Sequence, residues 1–83
     1  MADIDKCLAV LRTLIAQGRT NGIAIAEKAI SDYEASLPAA GRKSGLRDIQ
    51  LVVRTHRNSA DTVPQRAFAD TVNAYIEERL RDL

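Results

Sequence analysis

Apolar side chains return at Phe68, Val72, Tyr75, Ile76, Leu80 and Leu83 in steps of mostly three and four, the spacing of one helical face. The stretch they mark, Thr62 to Leu83, carries the clearest pattern in the chain. Thr62 and Gln65 stand three apart, as the two members of a capping box do. Pro64 falls in the first turn, where helical amides have no partner to lose. Run to its end, this helix measures about 33 Å.

The same periodicity predicts a first helix from about Asp3 to Gln17. Ile4, Cys7, Leu8, Leu11, Leu14 and Ile15 form its apolar stripe, while Asp5, Lys6, Arg12 and Thr13 face away. Gly18 is a natural stop, and Gly18 to Gly22 reads as a tight turn whose glycines accept positive φ. A turn this short predicts an antiparallel hairpin with the next helix, about Ile23 to Ser36. That helix has a regular seam at Ile23, Ala26, Ile30, Tyr33 and Leu37, with Glu27, Lys28, Ser31, Asp32 and Glu34 on its other faces. Ile25 lies off the seam beside Ala29, which suggests a contact between subunits.

Pro38 disfavours helix at the residue before it, and Pro38 to Gly45 reads as a flexible connection. A third element, Leu46 to about Thr55, keeps helical spacing at Leu46, Ile49, Val53 and His56. Ile49, Leu51, Val52 and Val53 are also strand-prone, but a strand here has no evident partner. A helix is expected, apolar nearly all round and therefore the most buried. Residues 56 to 61 form the last turn. The expectation is an all-α fold, one domain over residues 1–83, built as a small bundle of about four helices. Chains of this size often complete their stability by oligomerising.

Composition narrows the chemistry. Thirteen alanines against only Tyr33, Phe68 and Tyr75 as aromatics imply close helix packing rather than a large ligand cavity. A lone Cys7 excludes an intramolecular disulfide and a multi-thiolate metal site. No basic stretch followed by an apolar core opens the chain, and no apolar run approaches membrane-spanning length. The expected setting is soluble and cytoplasmic, away from membranes.

Net charge is +1, but it is unevenly spread. Residues 42 to 66 hold Arg42, Lys43, Arg47, Arg54, Arg57 and Arg66 against Asp48 and Asp61, while both flanking segments are mildly acidic. Gly41-Arg-Lys-Ser44 lacks the spacing and the preceding strand of a phosphate-binding loop. His56 and Cys7 fall on different predicted helices, and neighbouring carboxylates such as Glu77 and Glu78 diverge on a helix. No enzyme, cofactor or metal site is expected.

Two kinds of binding remain. The first is protein association, by a small helical adaptor or regulator that also pairs with itself; its candidate interface is Ile25, Tyr75, Ile76, Arg79, Leu80 and Leu83. The second is nucleic-acid regulation through the six basic residues, which suit phosphates or an acidic protein partner. A helix-turn-helix can be laid over Leu51 to Phe68, although Pro64 and the near-neutral charge argue against it.

Overall fold

The computed structural model describes residues 3–83, with the side chain of Thr20 excepted. Four helices account for most of them: α1 (Asp3–Gln17), α2 (Ile23–Ser36), α3 (Arg42–Ser59) and α4 (Val63–Arg81). Two single turns of 3-10 helix, Thr20–Gly22 and Ala39–Gly41, bridge α1 to α2 and α2 to α3. No described residue is in a strand, so the run around Ile49 to Val53 is helical as expected.

Each boundary has a local cause. Gly18 has φ of 61°, and its amide donates back to the Leu14 and Ile15 carbonyls, closing α1 with a left-handed residue. The second glycine of that turn behaves otherwise: Gly22 has φ of −81°, because the turn coils as 3-10 helix and needs no further reversal. At the start of α4, Thr62 Oγ1 accepts the Gln65 amide at 3.3 Å and Gln65 Oε1 accepts the Thr62 amide at 3.3 Å, completing the capping box. The Gln65 side chain also donates from Nε2 to the Ala16 carbonyl at 2.8 Å, tying the head of α4 to the tail of α1.

The third helix departs most from expectation. It begins at Arg42, so Arg42 to Gly45 are its first turn rather than part of a flexible connection. Gly45 is inside the helix because α3 crosses α2 there at close range. A β-carbon on Gly45 would stand 3.0 Å from the Tyr33 hydroxyl and closer still to Leu37 Cδ1. Nor is α3 apolar all round: Leu46, Ile49, Gln50 and Val53 face inward, while Leu51 is 66% exposed.

One cluster of buried side chains serves all four helices. Cys7, Leu11 and Ile15 from α1 meet Ala26, Ile30 and Tyr33 from α2, Leu46, Ile49 and Val53 from α3, and Phe68, Val72 and Ile76 from α4. The radius of gyration is 11.9 Å, close to the roughly 12 Å of a compact chain of this length. The pairings α1–α2 and α3–α4 are the most extensive, and α3 and α4 run antiparallel: Gln50 bonds Glu77 while Arg57 bonds Asp70. Across the pairs, Ser31 meets Tyr75 and Glu34 meets Arg79, so α2 and α4 run in the same sense.

Candidate functional site

The six basic residues of the middle segment differ in their surroundings. Three are tied to their own chain. Arg42 donates from Nε to the Leu37 carbonyl at 3.3 Å, closing the end of α2. Arg57 Nε lies 3.1 Å from Asp70 Oδ1 on α4, and Arg66 donates to the Ala60 carbonyl at 3.3 Å. The other three, Lys43, Arg47 and Arg54, are exposed. Among the described residues none of these three forms an ion pair or a side-chain hydrogen bond.

Helical geometry lines those three up. Arg47 follows Lys43 by four residues and Arg54 follows Arg47 by seven, so all lie on one outward face of α3. Lys43 and Arg54 are about 16 Å apart along the axis at about 1.5 Å per residue. Leu51 lies between Arg47 and Arg54 along the axis and about 40–60° to one side of their line; it is the largest exposed side chain on α3 with no polar group. Carboxylates border the stripe. Asp70 and Glu77 stand on the adjoining edge of α4, held by Arg57 and Gln50, and Asp48 lies on the opposite flank of α3.

The candidate interface residues scatter. Ile25 is 55% exposed on α2. One turn on, Ala29 lines a shallow groove of about 240 Å³ with Cys7 and Val10 of α1. Leu83 is exposed and Leu80 is partly buried against the core. Tyr75 is half-buried, its hydroxyl 2.6 Å from Ser31 Oγ. Ile76 has no exposed surface in the single chain and belongs to the core cluster. Arg79 has a carboxylate partner in the same chain.

That partner is Glu34, which sequence reasoning placed on an outer face and the fold buries to 8% exposure. Arg79 donates from Nε to Glu34 Oε1 at 3.0 Å and from Nη2 to Oε2 at 2.6 Å, a two-pronged pair. A signal was present: Glu34 follows Ile30 by one turn, and Arg79 sits beside Tyr75 and Leu80, so each borders an apolar stripe. The hydrogen bonds from Arg79 hold the Glu34 carboxyl below its ordinary 4.5, outweighing the opposing effect of burial, with the charges of Arg79 and Arg42 adding to it. A carboxyl depressed in the folded state stabilises it fully above the unfolded value and loses that contribution as pH falls through the folded value. Urea midpoints of the wild-type chain are therefore expected to fall below about pH 4.5. Glu34→Gln is expected to start lower at pH 7 and to decline less on acidification; parallel curves for the two proteins would contradict this role.

His56 and Cys7 remain apart. His56 lines a recess of about 170 Å³ with Arg12, Asp61 and Gln65, whereas Cys7 is buried beside the α1–α2 groove. Burial pushes the Cys7 thiol up to about 11, away from the thiolate that a nucleophile needs. Among the described residues, no group of three or more His, Cys, Asp or Glu side chains is placed to hold a metal ion, and no helix is long and apolar enough to cross a membrane. Comparison with protein-family models, with curated proteins and with solved structures gave no match.

Proposed function

We propose that this chain is a small cytoplasmic helical adaptor or regulator that works by binding another protein and performs no chemistry of its own. The observation that supports it is the outward face of α3, where Leu51 is 66% exposed beside three cations that have no carboxylate partner among the described residues. Exposed apolar side chains set in charged surroundings are the makings of a contact patch. Self-association belongs to the same reading, with Ile25 and Val10 beside the α1–α2 groove as its candidate contacts.

The test is capture from native extract treated with nuclease. The wild-type chain is compared with a variant carrying Lys43→Glu, Arg47→Glu and Arg54→Glu whose circular dichroism is unchanged. The expected result is a protein retained in stoichiometric amount by the wild type and lost with the variant. Equal retention by both overturns the reading. Light scattering at micromolar concentration decides the self-association part, and a monomer mass throughout would remove it.

A second reading, nucleic-acid regulation, draws on the same three cations and on the three-residue connection Ala60 to Thr62 that joins α3 to α4. Pro64 lies in the first turn of α4 and does not break it, which removes one objection. Asp70 and Glu77 beside the stripe weigh against a phosphate backbone lying across it. A mobility shift that weakens steeply with salt and vanishes in the triple variant would favour this reading over the first.

A further inference from the structure

We infer that the Lys43–Arg47–Leu51–Arg54 face of α3 docks an acidic amphipathic helix of a partner protein, whose carboxylates meet the three cations while an apolar side chain covers Leu51. The inference rests on the protein-binding reading and names the chemistry of the partner. Charge complementarity supports it first. The three cations are exposed and have no carboxylate partner among the described residues, although three of their neighbours in sequence, Arg42, Arg57 and Arg66, are all tied down. Cations left free along one line form a complement to a row of carboxylates, and such complementarity fixes register and steers encounter.

Spacing then selects a helix over an extended peptide. The steps of four and seven residues correspond to about 6 Å and 10 Å along α3. A helix laid alongside repeats those steps and offers carboxylates at positions four and seven apart from a single face. An extended strand advances about 3.3 Å per residue, so it would meet the cations with residues about two and then three apart. The last of these falls on the strand's opposite face, because strand side chains alternate. Only two of three cations would be answered.

Leu51 selects a protein over a nucleic acid. An uncharged, strongly exposed leucine beside the row adds nothing to a phosphate contact, and no exposed aromatic stands nearby to stack a base: Phe68 and Tyr33 are buried and Tyr75 is bonded to Ser31. Against an amphipathic helix the same leucine supplies an apolar anchor flanked by the charged row. The carboxylates of Asp48, Asp70 and Glu77 along the edges restrict the partner further, since a helix acidic all round would be repelled there.

The full chain, isotopically labelled, is titrated with a synthetic helix bearing glutamates in steps of four and seven around a central leucine. Its glutamine counterpart and a short DNA duplex serve as comparisons. The expected result is saturable shifts of amide resonances from Lys43 to Asn58 with the glutamate helix and none with the glutamine version. Lys43→Glu with Arg47→Glu is expected to weaken binding at least about tenfold, as is raising salt to about 0.3 M. Leu51→Ser is expected to weaken it about fivefold without changing the salt dependence. These substitutions are on exposed positions, and unchanged circular dichroism shows that each variant is folded. No saturable shift on α3, equal shifts from the glutamine helix, or tighter binding of DNA at the same residues would each overturn the inference. If the glutamate helix fails while extract capture still depends on the three cations, protein binding stands and the acidic helix is the wrong partner. If capture also loses that dependence, both fall.

Discussion

Ile76→Asp is expected to leave the isolated chain unfolded at 25 °C, seen as loss of the helical circular-dichroism signal and of a cooperative urea transition. Ile76 has no exposed surface and packs where α4 faces the other helices. Removing a buried isoleucine side chain costs about 2–5 kcal/mol by itself. An unpaired carboxylate placed there must either stay charged without water or take up a proton, and both add further cost. A chain of this length holds roughly 4–12 kcal/mol of stability in total, so the sum exhausts most or all of it. Ile76→Val, which removes one methyl group, is expected to cost only about 1 kcal/mol and to lower the melting temperature by about 5 °C. A folded Ile76→Asp protein that merely runs as a smaller particle would show that Ile76 lies between chains.

Gly45→Val is expected to lower stability by about 2 kcal/mol, or about 10 °C in melting temperature, through overpacking at the α2–α3 crossing. Two effects compete at this position. Glycine inside a helix is intrinsically unfavourable by about 1 kcal/mol relative to alanine, so any side chain recovers part of that. Against this, the first side-chain atom already meets Leu37 and the Tyr33 hydroxyl within 3.0 Å. Leu37 is only partly buried and can turn aside, which relieves an alanine more than a β-branched valine. Gly45→Ala should therefore fall between the wild type and Gly45→Val. Thermal melts of the three proteins in one buffer settle the order, and a Gly45→Val protein as stable as the wild type would mean the crossing is looser than described.

These two positions also show what the sequence does and does not disclose. The stripe containing Ile76 is legible because helical periodicity and the Thr62–Gln65 cap are local, written within a few residues of one another. Gly45 is not legible: glycine after Pro38 and Gly41 reads as loop, and only the proximity of Tyr33 and Leu37 makes it a helical requirement. The burial of Glu34 escapes for the same reason, since its stabilising partner is 45 residues away. So does the division of the basic segment. Arg57 and Lys43 look alike in sequence, yet Asp70 on another helix holds one, while the other has no ion-pair partner among the described residues. Fold class follows from pattern, whereas which charges are free follows from neighbours.

The polar ties between the two helical hairpins have a kinetic consequence. Gln65 to Ala16, Ser31 to Tyr75 and Glu34 to Arg79 join residues 49, 44 and 45 positions apart. Within α3–α4 the bonded pairs are 13 and 27 positions apart, so loop closure costs somewhat less there and that hairpin can form before the two meet. The three ties close only when the hairpins dock. Ties that form late on the folding path act as a brake on unfolding, and φ-values near zero at Glu34 and Tyr75 are the result expected here.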